Sequence, residues 1–306
     1  MIRAEGLGKR FGERWAVHDL TLEVGAGEIF GFLGPNGAGK TTTTRMLAGM
    51  IAPTAGKAWI AGIDMAGGPD DVRSRIGLLT ETPGLYERMS AAANLDYYGR
   101  LHGLPSAKRH ERVRACLDLL GLWGRRDDQV AGFSKGMKQK LAIARTVLHE
   151  PVAVFLDEPT SGLDPEAARD VRAFIRDLRD TGRAIFLCTH NLDEARRLCD
   201  RVAIFRGKIL RLGTPRDLER EVVRRRLAIR LAGDPARFVE VVRALPVSQG
   251  VECAEGELAV LLDDLDRDAP VVVRALVEAG ADVQRVAGVD SALEAAYLSI
   301  IGEAQP

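Results

Sequence analysis

One stretch constrains this chain more than any other: Gly34-Pro35-Asn36-Gly37-Ala38-Gly39-Lys40-Thr41-Thr42. It fits the pattern G-x-x-x-x-G-K-[ST], a loop that cradles phosphates when a strand precedes it and a helix follows. Both flanks agree. Glu28 to Leu33 is an apolar run suited to a buried strand, and Thr41 to Met50 reads as the start of a helix. Gly34, Gly37 and Gly39 let the backbone turn tightly and aim its N–H groups, Asn36 and Thr42 included, toward one point. The helix N-terminus adds positive potential there. Lys40 has the reach for outer phosphates, and the Thr41 hydroxyl suits Mg²⁺.

The chain has 306 residues, enough for two domains. Lys and Arg number 43, as do Asp and Glu, so the formal charge is zero and no overall basic field points to nucleic acid. Cys116, Cys188, Cys199 and Cys253 show no C-x-x-C spacing, which argues against a zinc site or a disulfide scaffold and for scattered core thiols. Charges interrupt Met1 to Arg10 where a signal peptide needs an apolar stretch, and no run has the length of a membrane span. The expectation is a soluble chain whose membrane role, if any, comes through a partner.

Along the sequence, Ile2 to Val24 reads as strands with a hairpin tip at Gly12-Glu13-Arg14. Phe11, just before the tip, is suited either to stacking on a base or to ordinary hairpin packing. Lys57 to Ile63 and Arg75 to Leu79 are further strands. Three helices follow, Ser90 to Leu101, Ser106 to Leu120 and Lys135 to His149, with Ser90 and Ser106 as N-caps and Gly121 as a stop. Val152 to Leu156 and Ala184 to Cys188 are continuous apolar runs, the mark of buried parallel strands. A helix from Pro165 to Asp180 separates them. Helix Leu192 to Cys199 and strands Val202 to Phe205 and Lys208 to Leu212 come next. Past Thr214-Pro215, the charged run Glu219 to Arg230 predicts a solvated linker helix, with contact to acidic lipid headgroups as the alternative. The remainder alternates as strand, helix, two strands, helix, strand and a last helix Ser291 to Ile300, a split βαβ, ferredoxin-like order.

The apolar run at Val152 ends in Asp157-Glu158. An aspartate at a buried strand end can hold Mg²⁺, and the carboxylate of Glu158 can polarise a water that attacks a γ-phosphate. Phe133-Ser134-Lys135-Gly136-Met137-Lys138-Gln139 then precedes a helix, so Ser134 and Gly136 sit at a helix N-terminus, an anion site.

Taken with the phosphate loop, Asp157-Glu158, Ser161-Gly162-Leu163-Asp164 and His190, this stretch resembles the ATP-binding cassette (ABC) family, whose signature is Leu-Ser-Gly-Gly-Gln. The resemblance covers roughly the first 215 residues. It implies that Phe11 stacks on adenine, that Gly34, Asn36, Gly37, Gly39, Lys40, Thr41 and Thr42 bind the phosphates of ATP, and that Thr41 and Asp157 hold Mg²⁺. It implies Glu158 as the catalytic carboxylate and His190 as a switch histidine on the γ-phosphate. Ser134, Gly136 and Asp164 would complete the site of a second subunit, with ATP between two chains.

Two departures stand out. Glu81 occupies the usual glutamine position, where a carboxylate can join the Mg²⁺ ligands. Lys135 and Met137 replace the glycine and glutamine of the signature. Both resemble the branch that serves small exporter permeases, as does Leu293-Glu294-Ala295-Ala296-Tyr297-Leu298. The predicted fold is α/β, a P-loop NTPase cassette with an antiparallel β subdomain and a helical subdomain, plus a small α+β ferredoxin-like domain. The boundaries are 1–220, with a helical insert at about 87–150, and 221–306. The predicted function is the ATPase subunit of an ABC exporter, peripheral on the cytoplasmic membrane face, with a separate integral permease and a second copy as partners and no nucleic acid. The alternative is a soluble ABC ATPase acting on ribosomes or nucleic acid; a small-molecule kinase would leave the signature unexplained.

Overall fold

A computed structural model of the chain describes residues 1–67, 69–80, 82–222, 225–254 and 256–288, and, near the C-terminus, 293, 297 and 300–302. The chain divides into two compact units, Met1–Pro215 and Arg216–Pro306.

The first unit opens with strands β1 (Ile2–Phe11) and β2 (Arg14–Val24), then β3 (Ile29–Leu33), helix α1 (Lys40–Leu47), β4 (Ala55–Ile60), β5 (Ile63–Asp64), α2 (Pro69–Arg73) and β6 (Ile76–Leu79). Three helices follow: α3 (Ala91–Leu101), α4 (Ser106–Leu119) and α5 (Lys135–Val147). The unit ends with β7 (Ala153–Asp157), α6 (Pro165–Asp180), β8 (Ala184–Thr189), α7 (Leu192–Leu198), β9 (Arg201–Phe205) and β10 (Ile209–Gly213).

Among the described residues these strands form two sheets. One is antiparallel, in the order β2-β1-β4-β5; the other has the order β10-β9-β3-β8-β7-β6 and is parallel except at β10. β3 and β8 are buried at every position and β7 at all but its last, as expected of parallel strands covered on both faces. Phe30, Phe32, Phe155, Phe186 and Phe205 join Ile2, Leu7, Leu20 and Ile60 in the core between the sheets. Phe186 lies 5.1–5.8 Å, ring to ring, from Phe32, Phe155 and Phe30, at offset angles that aromatic quadrupoles favour.

The helical insert packs α3 on α4 and both on α5 through buried Leu95, Val113, Leu117 and Leu141. Ser90 caps α3 as expected, accepting from Ala93 N at 3.2 Å. Ser106 does not cap α4. It is the first helical residue, and Pro105 holds the cap position without a side-chain hydrogen bond. Proline before the helix fixes an extended entry, which displaces the cap by one residue. Gly121 lies past the end of α4 at φ 69°, a left-handed conformation that stops a helix at low cost.

The second unit begins at helix α8 (Pro215–Val222), followed by β11 (Arg225–Leu231), α9 (Val239–Arg243), β12 (Ser248–Ala254), β13 (Glu257–Leu262), α10 (Leu265–Glu278) and β14 (Val283–Gly288). The sheet order is β12-β13-β11-β14 with every neighbouring pair antiparallel, the arrangement of a split βαβ fold. The expected linker helix is shorter than the charge run, because strand pairing begins at Arg225. Cross-strand hydrogen bonding to β13 outweighs the helix propensity of the arginines. The predicted last helix and the motif at 293–298 lie mostly outside the described residues. Cys253 is exposed, so the thiols are not all core residues as expected; Cys116, Cys188 and Cys199 are.

Candidate functional site

In the parallel sheet β8 lies between β3 and β7. The segments leaving the C-terminal ends of these strands are the phosphate loop, His190 and Asp157-Glu158, so neighbouring strand ends deliver all three to one place. There Ala16, Pro35, Asn36, Gly37, Ala38, Gly39, Lys40, Thr41, Thr42, Asp157, Glu158, Ser161 and His190 line a cavity of about 320 Å³.

The loop is shaped by contacts that exclude side chains. Gly39 has φ 103°, and a Cβ there would lie 2.3 Å from Ala16 O on β2. At Gly34 a Cβ would lie 2.3 Å from Phe205 O on β9. Lys40 is 8 % exposed, with its ammonium donating to Gly34 O at 2.6 Å and Pro35 O at 3.2 Å. The loop's own carbonyls thus hold the cation at its mouth, a preorganised point charge for phosphate.

Thr41 Oγ1 donates to Asp157 Oδ2 at 3.3 Å. Two hard oxygen donors of this kind suit Mg²⁺, which keeps several waters and takes few protein ligands beside phosphate oxygens. A second hollow of about 270 Å³ shares Thr41 and Asp157 and adds Thr80 and Thr82. These two flank Glu81, which lies outside the described residues.

Glu158 stands at φ 49°, an uncommon left-handed conformation for a glutamate. Its Oε1 accepts from His190 N at 2.9 Å and pairs with His190 Nδ1 at 2.7 Å, while Thr189 Oγ1 donates to Oε2 at 3.3 Å. The carboxylate is mostly buried and the imidazole mostly exposed, so the pair spans the cavity wall from strand end to solvent. Behind them, burial pushes the Cys188 thiol well up and the Asp157 carboxylate adds to this, leaving an inert neutral thiol against Thr44 Oγ1 at 3.2 Å.

The cavity lining takes none of Ser134, Gly136 or Asp164 from the same chain. These three form a second surface. Ser134 caps α5, accepting from Met137 N at 3.2 Å, and Asp164 caps α6, accepting from Ala167 N at 2.9 Å. The two helix starts lie side by side, since a Cβ at Gly136 would be 2.8 Å from Ala167 Cβ. Phe11, 55 % exposed at the hairpin tip with the Lys9 ammonium 5.4 Å from its ring centre, is also outside the cavity lining. Ala16 and Ser161 also line the cavity; Ser161 belongs to the motif that ends in Asp164, and neither residue was expected at the phosphates. Ala16 carries no chemical signal in sequence; its role is to bring a backbone carbonyl to Gly39.

This fold and this set of strand-end groups define a nucleotide-binding cassette of the ABC type. Residues 17–161 match the ABC transporter family. The chain is 35 % identical over 305 residues to the daunorubicin/doxorubicin resistance ATP-binding protein of Streptomyces peucetius, covering 98 % of this chain and 92 % of that one. It is 38 % identical over 219 residues to the Nod factor export ATP-binding protein I of Ralstonia nicotianae, covering 71 % and 68 %. Among solved structures, an ATP-binding subunit of an ABC transporter superposes with a TM-score of 0.67 at 33 % identity, covering 72 % of this chain and 92 % of that one. The chain therefore belongs to the ABC transporter family as the ATP-binding, ATP-hydrolysing subunit of an exporter. These matches favour the transporter reading over the ribosome or nucleic-acid alternative.

Proposed function

We propose that the chain drives export through a separate integral permease by binding Mg-ATP between two copies of itself. The observation that carries this reading is the convergence of Lys40, Thr41, Asp157, Glu158 and His190 on one cavity, with Ser134, Gly136 and Asp164 on a different surface of the same unit. A nucleotide in that cavity meets charge on one side only, so a second chain is needed to supply the capped helix starts. The translocation path is assigned to the permease and this chain to the cytoplasmic membrane face, as for the family's ATP-binding subunits; among the described residues no helix is long and apolar enough to cross a membrane.

In the proposed mechanism Lys40 and the backbone N–H groups of residues 36–42 hold the phosphates. Thr41 and Asp157, with Glu81 from outside the described residues, would hold Mg²⁺, which would neutralise charge on the outer phosphates. Glu158 accepts a proton from the attacking water, and His190 orients that carboxylate through Nδ1 while presenting the rest of its ring to the γ-phosphate. Phe11 stacks on the base. The first unit, expected at 1–220, is assigned as the cassette, and the second, expected at 221–306, as an accessory domain. Cargo selection belongs to the permease. The test is steady-state ATPase activity of the full chain: Glu158→Gln should bind Mg-ATP and lose turnover. Turnover at the wild-type rate in that variant would remove Glu158 from the mechanism.

A further inference from the structure

The hydrogen bonds around Glu158 close a ring that phosphate binding does not require. From Glu158 the chain passes Pro159 to Thr160, whose hydroxyl donates to Glu194 Oε1 at 2.6 Å. Glu194 lies in the first turn of α7, where its N–H donates to the capping Asn191 Oδ1 at 3.0 Å. Asn191 follows His190, and His190 returns to Glu158 through both its backbone N–H and Nδ1. From the other side, Gln139 Nε2 of α5 donates to Pro159 O at 2.8 Å.

Glu194 is only 2 % exposed, and its Oε2 is buried with no hydrogen-bond partner among the described residues. An apolar side chain would fill this place at lower cost. Burial pushes the carboxyl pKa up, against the Thr160 and Thr189 hydroxyls, which lower it, and the Glu158 charge adds to the rise. The group is thus an expensive acceptor whose close contact is the Thr160 hydroxyl.

We propose that Glu194 is a positioning residue for hydrolysis: by fixing Thr160 it locks the turn after Glu158 and holds the catalytic carboxylate on His190. Glu158 occupies a left-handed backbone conformation that persists only when its surroundings over-determine it. Releasing Thr160 removes one of those restraints, and the carboxylate leaves its place while the phosphate loop, on another strand, is untouched. This inference rests on the reading of Glu158 and His190 as the hydrolytic pair.

The experiment measures kcat and KM for Mg-ATP on the full chain for Thr160→Val, Glu194→Ala, Glu194→Gln, the Thr160→Val/Glu194→Ala double variant and Glu158→Gln. Thr160→Val and Glu194→Ala should each lower kcat by about tenfold with KM within about twofold. Glu194→Gln keeps the acceptor at Oε1 and should stay within about threefold of wild type. The double variant should be no slower than either single one, because both break the same contact. Wild-type kcat in Thr160→Val with an inactive Glu158→Gln overturns the inference and leaves the function standing, as do losses that multiply in the double variant. An active Glu158→Gln removes the underlying reading and the inference together. If Glu194→Ala does not fold, Thr160→Val and Glu194→Gln still decide it.

Discussion

Lys40 shows how much a single residue depends on its frame. Its ammonium is held by two carbonyls of its own loop, so binding phosphate requires little reorganisation. Lys40→Ala should weaken Mg-ATP binding about 100-fold, ~2.7 kcal/mol, as expected for a desolvated charge-assisted contact. Isothermal titration checks this, and unaltered affinity would exclude Lys40 from the phosphate contacts. The adjacent hydroxyl and carboxylate, Thr41 and Asp157, come from α1 and β7, and only the sheet brings them within hydrogen-bond distance.

At the scale of elements, the phosphate loop is a packed object. Gly39→Ala places a methyl against Ala16 O at 2.3 Å and a side chain at φ 103°. Such a clash and such strain cost about 2 kcal/mol or more. The variant should lose ATP binding at least tenfold and melt several degrees lower by calorimetry. The end of α5 carries a different liability. His149 Nε2 meets Ile76 O at 2.8 Å, so Nε2 is the donor and Nδ1 the titrating atom; that atom is buried with no partner among the described residues. Burial, with the His102 ring stacked at 3.8 Å, lowers the His149 pKa to about 4. The unfolded chain then binds more protons between pH 6.5 and 4, so this residue's contribution is complete above about pH 6.5 and declines as the pH falls. From pH 7 to 5 the loss should be of order 1–2 kcal/mol. Denaturant unfolding of wild type and His149→Gln at both pH values measures it; equal pH dependence of the two proteins would count against a neutral, buried His149.

For the whole molecule, the separation of the phosphate cavity from Ser134 and Asp164 makes assembly the central test. Bound γ-phosphate offers charge-assisted hydrogen bonds to both surfaces, and hydrolysis removes them. Glu158→Gln should therefore accumulate an ATP-dependent dimer, and adding Ser134→Arg should abolish it by crowding the phosphate. Light scattering after size exclusion in Mg-ATP reads both. A monomeric Glu158→Gln protein at saturating ATP would show that two copies alone do not close, and that the permease or another cassette is required.

What the sequence alone determined is local: a glycine spacing, an apolar run ending in two carboxylates, a serine before a helix. Each is set by short-range geometry, so strand, loop and helix around residues 28–50 and the strand ends at Asp157 and Thr189 were legible directly. The order of elements in the second unit was legible for the same reason, since hydrophobic periodicity changes with each element. Tertiary structure decided which strand ends became neighbours. It placed β8 between β3 and β7, joined His190 to Glu158, and brought the Ala16 carbonyl over Gly39. It also began β11 at Arg225 inside a charge run, because pairing with β13 is a contact across more than thirty residues that no local pattern carries. Glu194 belongs to the same class. On a helix its spacing marks only a polar position; burial against Thr160 exists only once two separate strand ends have been laid side by side.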